Sequence, residues 1–362
     1  MEPILTLGKL TVTPFGLMTL AGAVAGALLS LRKKGIGPVL PWVIAGALIV
    51  GHMWWVFFCP PGYGAEIGAF SLMLRIWEGG YTLYGALVGG TLGALIGSRL
   101  AGLSFTDTLD ALAPGACAAL FFCRIGEYFT MQGFGEPVEN EALQFFPVAF
   151  CTYQDGSYQE WNYAVWAWEA LAALIILAAL LIRERKARRG QQTVLFVTAL
   201  GTSQILLEQM RRDDFVRLNP FVRLSQITAL MTLIAVLVVL TVRRRPDGKR
   251  IAVSFGEVAV AALTIVFAEF CFEKPAFRVP LYLALTLTAA GFALMMLLWR
   301  GRRGIPAACA FCLGSAALLG IHMADQWMTD LWLLYGMIAL AVTAMGVVIL
   351  LNAGDRREPA AA

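Results

Sequence analysis

Apolar runs of 16 to 21 residues alternate with short polar segments along the whole chain, near positions 13–31, 38–58, 81–98, 108–123, 162–182, 192–209, 222–242, 252–272, 280–299, 306–322 and 331–351. A helix needs about 20 residues to cross about 30 Å of hydrocarbon, so these eleven runs predict about eleven transmembrane helices. The expected fold class is all-α, a polytopic helical membrane protein. The longest interruption, roughly Arg124 to Trp161, predicts a small cap between the fourth and fifth spans.

Composition narrows the class further. Of the 362 residues 59% are hydrophobic and 14% charged, with a mean hydropathy of +0.72, whereas a soluble domain carries about 25% charged residues. A water-soluble globule, a disordered chain and a disulfide scaffold are excluded. The net charge of +4 implies no nucleic-acid partner, because the basic residues sit in short clusters between spans. Nineteen of the 28 Lys and Arg follow odd-numbered spans, from Arg32, Lys33 and Lys34 to Arg356 and Arg357. By the positive-inside rule this places the N-terminus outside, the C-terminus in the cytoplasm and the cap on the outer face. Only Glu2 and Lys9 precede the first span and three basic residues follow it, so it reads as a retained helix rather than a cleaved signal.

Gly85, Gly89, Gly93 and Gly97 recur every four residues in the third span, a pattern that lets a neighbouring helix approach closely. Cys59 and Cys151 both fall on the expected outer side and are available to pair, although nothing in their spacing requires it. Cys309 and Cys312 form a CxxC inside an apolar span, without the further polar partners a metal needs, so no metal is expected.

The candidate chemistry lies in ionisable residues at membrane depth, which are costly there and usually face the bundle interior. Arg124 closes the fourth span, Glu169 lies within the fifth, and Glu208, Arg211 and Arg212 close the sixth. Glu78 and Tyr84 stand at the outer start of the third, where an interfacial acid and an aromatic-belt tyrosine are the ordinary reading. Glu208 and Arg211 are three residues apart and are expected to pair on one helix face. A guanidinium at this depth suits a bidentate grip on phosphate, and it equally suits an ion pair stapling two helices. Several such groups on one leaflet point to a site for an anionic headgroup.

The stretches PFGLMTLAG (14–22), RIWEGGYTLYGALVGG (75–90), DALAP (110–114), RIGEYFTMQGFGEP (124–137), ILLEQMRRDD (205–214) and LSQITAL (224–230) carry a resemblance. Through them the chain resembles the prolipoprotein diacylglyceryl transferases of bacteria over roughly residues 13–245. The chain then divides into a seven-helix transferase-like domain, 1–245, and an extension of about four spans, 246–362, that has no counterpart in the resemblance. The resemblance implies a plasma-membrane enzyme that moves the diacylglyceryl group of phosphatidylglycerol to the thiol of a lipobox cysteine in a prolipoprotein signal peptide. Glycerol phosphate leaves, and no cofactor takes part. Arg124 then falls on the family's lipid-binding arginine, and Glu208 and Arg211 on its glutamate and second arginine. The implied catalytic positions are Arg124, Glu208, Tyr84 and Gln204, and the implied lipid contacts are Arg124, Glu127, Gln132, Arg211 and Glu169.

The departures from the family pattern fall on these same positions. Tyr84 stands where the family has a histidine, and an ordinary phenol pKa of about 10, against about 6.5 for imidazole, makes it a poor base near neutral pH. Gln204 replaces an arginine, Glu127 an asparagine, Gln132 a glutamate and Phe15 a tyrosine, while YAVWAWE at 163–169 keeps only Glu169 of its motif. The exchanges at Gln204 and Glu127 make the site more negative, which weakens or redirects binding of phosphatidylglycerol. Three readings follow. One is a working transferase whose thiol is activated by Glu127, Glu208 or the lipid phosphate. Another is a catalytically impaired homologue that binds an anionic lipid or lipoprotein. The last is a transporter, for which the chain lacks the expected internal symmetry.

Overall fold

A computed structural model describes residues 5–7, 10–58, 73–74, 80–155, 158–212, 223–272, 274–300, 305–324 and 330–354. Within them a helix occupies each predicted run: α1 (Pro14–Leu31), α2 (Leu40–Phe58), α3 (Leu83–Leu100), α4 (Phe105–Thr130), α5 (Val165–Arg183), α6 (Gln191–Met210), α7 (Leu224–Arg244), α8 (Gly248–Cys271), α9 (Arg278–Arg300), α10 (Ile305–Ala324) and α11 (Asp330–Gly354). Among the described residues nine helices are long and apolar enough to cross a membrane. The remaining two are α6, diluted by Gln191, Gln192, Gln204, Glu208 and Gln209, and α10, whose apolar stretch is confined to Ala308–Met323. Among the described residues sheet is limited to two antiparallel hairpins, β1 (Leu5–Leu7) with β2 (Leu10–Val12) and β3 (Ala149–Asp155) with β4 (Tyr158–Tyr163). The protein is an all-α, multi-pass membrane protein.

The chain forms two compact units. The first comprises Met1–Phe196, Leu207–Leu218 and Arg223–Thr228; the second comprises Val197–Leu206, Asn219–Val222 and Ala229–Ala362.

In the first unit α2 packs along α3 and α1 along α4. Glycine makes both pairings possible, because a Cβ on Gly89 or Gly93 would overlap the carbonyls of Gly46 or Trp42, and one on Gly26 would lie 2.7 Å from the Gly115 carbonyl. In lipid such close backbone contact replaces the hydrophobic driving force available in water. Asp110, from the DALAP stretch, reaches across to the start of α6 and accepts hydrogen bonds from Gly190 N at 2.5 Å, Thr193 N at 2.8 Å and the Thr193 hydroxyl at 2.7 Å. It thereby satisfies otherwise orphaned amides at a helix N-terminus. Thr13 and Thr82 do the same locally for α1 and α3, accepting from Gly16 N at 3.1 Å and Gly85 N at 3.2 Å.

Helix α4 continues past Arg124 and ends at Met131, whose φ of 53° is left-handed. The cap therefore starts about two turns later than the sequence suggested, and Arg124 and Glu127 belong to the helix. The segment following α4 pairs with β4 through Gly135 N to Tyr163 O at 2.8 Å and Val138 N to Trp161 O at 2.7 Å. Beneath it Phe150, Ala164, Trp166 and Ala167 form a small apolar core joined by Phe134.

The second unit packs α8 against α9 and α11, and α9 against α10. Its interior is filled by Leu281, Leu285, Met295, Leu333, Met337, Ile338, Met345 and Ile349, all fully buried.

Candidate active site

The last turns of α4 and α6, the first turns of α5 and α7, and the start of α3 bring a set of charged and polar side chains together in the first unit. Arg124 Nη1 donates a short hydrogen bond to Glu127 Oε1, one turn on, and lies 3.3 Å from Glu169 Oε2 of α5. Arg211 Nη1 lies 3.0 Å from the same Glu169 oxygen and 3.3 Å from Glu127 Oε2. Arg223 Nη1 is 3.8 Å from Glu208 Oε1, and its Nη2 donates to the backbone carbonyl of Arg211. Glu169 is sealed, with a side-chain exposure of 0%, and Glu127 is the most open of the carboxylates at 13%. The described cluster holds three guanidinium groups and three carboxylates, so its formal charge is zero. Buried ions survive only when paired this closely, and removing one partner of such a pair typically costs 3–5 kcal/mol.

The expected pairing of Glu208 with Arg211 on one helix face changes here. Helix α6 stops at Met210, and Arg211 is extended with φ −75° and ψ 142°. Its backbone bridges to Gly135 of the cap, and its side chain reaches Glu169 and Glu127. Helical spacing governs side chains only while the helix continues, and the partner facing Glu208 is Arg223. Arg212 is half-exposed, 4.0 Å from Glu136.

Tyr84 lies in the first turn of α3, buried, and within electrostatic reach of Glu208, Arg124 and Glu169. Its hydroxyl has no hydrogen-bond partner among the described residues. A buried donor without a partner costs about 1–3 kcal/mol, and such groups cluster where a substrate completes the set. Phe15 packs where a Cβ on Gly126 would come 3.0 Å from its ring. Gln132 is exposed just beyond α4, its amide closing the helix on Glu127 O at 3.1 Å. Gln204 is buried in the second unit, one turn before Glu208 along α6. Glu78 and Cys59 lie outside the described residues. No group of His, Cys, Asp and Glu suited to a metal occurs among the described residues.

Arg223 and His52 do not stand out in the sequence. Arg223 precedes an apolar run and looks like an ordinary interfacial anchor. His52 is fully buried in α2, its Nδ1 3.0 Å from Gly80 O and its ring stacked on Trp55 at 6.0 Å. With Thr82 N bonded to Gly51 O at 3.2 Å, it fixes the corner from which α3 and Tyr84 start. A solitary histidine in an apolar run carries no signal of that role. Beside the cluster, Tyr128, Phe146, Phe150, Cys151, Trp161 and Trp166 line a cleft of about 360 Å³ under the cap.

Helices crossing the membrane around a buried arginine and glutamate cluster, roofed by a small cap, define a multi-pass membrane protein with a polar intramembrane site. The sequence model of the family described as prolipoprotein diacylglyceryl transferase matches residues 3–242, and the chain belongs to that family. A phosphatidylglycerol–prolipoprotein diacylglyceryl transferase of Frankia alni is 28% identical over 255 residues, 67% of each chain. Proteins of the same name from Acaryochloris marina and Listeria monocytogenes are each 26% identical, over 59% and 60% of this chain and 80% and 81% of their own.

Proposed function

We propose that this protein transfers the diacylglyceryl group of phosphatidylglycerol to the cysteine thiol of a prolipoprotein lipobox, with the cap and the cluster on the outer face of the plasma membrane, the N-terminus outside and the C-terminus in the cytoplasm. The observation that carries the reading is Glu127 set between Arg124 and Arg211, with the unpartnered Tyr84 hydroxyl in electrostatic reach of Arg124, inside the region the family matches. In the reaction the sulfur attacks the glyceryl carbon bearing the phosphate, the S–C bond forms, the C–O bond breaks, and glycerol phosphate leaves with the electron pair.

The arginines are held by carboxylates before substrate arrives, so a phosphate binds only if one carboxylate yields. Glu127 is the most accessible and touches both. A thiol proton passing to Glu127 makes the thiolate, the reactive form of cysteine, and in the same event frees Arg124 and Arg211 for the developing phosphate charge. Tyr84 Oη donates to a phosphate oxygen, while Glu169 keeps both guanidinium groups in place. Gln132 contacts the lipid less directly than these groups.

Proteoliposomes containing phosphatidylglycerol and a lipobox peptide test the proposal: wild type lipidates the peptide, and Arg124→Ala lowers the rate by at least about 100-fold, the usual loss for one preorganised charge-stabilising donor. The formal neutrality of the cluster favours a second reading, an anionic-lipid or lipoprotein binder that no longer performs transfer. Wild type that copurifies with phosphatidylglycerol yet leaves the peptide unmodified, beside an active relative, selects that reading.

A further inference from the structure

We propose that the C-terminal helices carry a second intramembrane site, a proton-binding site at Glu257 that is reached through a polar column inside the unit. Glu257 lies nine residues into α8, about 13 Å along the helix from its start, well within the hydrocarbon. It is 3% exposed, and its Oε1 has no hydrogen-bond partner among the described residues. Its Oε2 sits against the backbone of α9 at Gly291, in the space a Cβ would fill.

Among the described side chains no counterion faces Glu257. Facing α8 in the interior are Thr288 and Gly291 from α9 and Asn352 from α11, all uncharged. Of the titratable residues on those helices, Arg278, Tyr282 and Arg300 of α9 lie about 20 Å, about 14 Å and about 14 Å along that helix from Gly291, and Tyr335 and Asp330 of α11 lie about 26 Å and about 33 Å from Asn352. On α8 itself Arg250 lies two turns before Glu257, about 10 Å along the helix, and is held at the end of α9, reaching Leu298 O at 3.5 Å and stacking over Trp299 at 4.8 Å. Glu269 and Cys271 stand at the far end of the helix. An ionised carboxylate in such a place is very costly, so the group holds a proton or a cation.

The polar side chains form a line rather than a cage. Ser254, Glu257 and Thr264 share the buried face of α8 with Ala261 and Ala268. Asn352 Nδ2 donates to Ser254 Oγ at 3.1 Å, and the Thr264 and Thr288 hydroxyls are 3.0 Å apart. A metal cation needs several converging oxygens, whereas a proton needs only one carboxyl oxygen and a chain of hydroxyls. The arrangement fits the proton, entering by Asn352 and Ser254.

Infrared difference spectroscopy on the full chain in liposomes reads this directly. A protonated-carboxyl band is expected to fade as pH is raised, to be lost in Glu257→Gln, and to be unaffected by sodium. Carbodiimide labelling of Glu257, which requires the protonated acid, should fall as the band falls. Gly291→Ala puts a methyl where Oε2 now rests and keeps the carboxyl, so the midpoint should move by about one pH unit, tenfold in proton affinity, even if Glu257→Gln assembles poorly. A band that does not titrate, a band that sodium displaces, or a midpoint indifferent to Gly291→Ala would each overturn the proposal.

Discussion

Replacing Glu127 with glutamine separates the two tasks assigned to that residue. The substitution keeps shape and removes one negative charge from between Arg124 and Arg211. At the 3.3 Å found between Arg211 and Glu127, one unit pair is worth about 5 kcal/mol gross at an effective dielectric of about 20. Relaxation and rehydration of the neighbours consume most of this, and a net gain of about 1.4 kcal/mol, tenfold tighter phosphatidylglycerol binding, is expected. Glu169 still holds both arginines, so the helices stay joined. Glutamine cannot take the thiol proton, and loss of a general base typically lowers the rate by about 100-fold or more. Lipid binding by native mass spectrometry and turnover of a lipobox peptide under saturating lipid give the two quantities separately. Turnover at or above wild type would show that the thiol proton goes elsewhere, and unchanged lipid affinity would show that Glu127 does not compete with the phosphate.

Tyr84→Phe removes only the unpartnered hydroxyl, so the melting temperature should hold or rise slightly while turnover drops about tenfold; unchanged turnover would remove Tyr84 from the site. Glu169→Gln should unfold or strongly destabilise the first unit, by about 3–5 kcal/mol, because Arg124 and Arg211 both rest on it; a melting temperature near wild type would contradict the geometry. Gly89→Val should abolish monodisperse protein in detergent, since no side chain fits against the Gly46 carbonyl. At the loop end of α5, the hydrogen bond from Lys33 at 2.7 Å, with Arg32 at 3.7 Å, holds the Glu184 carboxyl below its usual pKa. A depressed carboxylate adds stability above its unfolded pKa of about 4.3 and loses it as pH falls through the lower folded value. The pair is partly screened, so a melting scan on the acid side should show a loss of no more than about 1 kcal/mol, absent in Glu184→Gln.

The helices could be read from the order of residues alone. Hydrocarbon demands a long apolar run with its backbone bonds closed internally, so each crossing is written locally, and all eleven predicted runs carry a helix. The same order also exposes the glycine stripe and the anomalous Arg124, Glu169, Glu208 and Arg211, because a charge in an apolar run stands out wherever its partner lies. Pairing was a different matter. Glu208 and Arg211 are neighbours in sequence, yet α6 ends between them, and Arg211 turns to carboxylates on α4 and α5. Arg223 and His52 looked ordinary in sequence because their roles depend on groups 15 and 28 residues away, at Glu208 and Gly80. The balance of arginines by carboxylates among the described residues emerges only in three dimensions, since it is a property of distances in space, which the order of residues along the chain does not record.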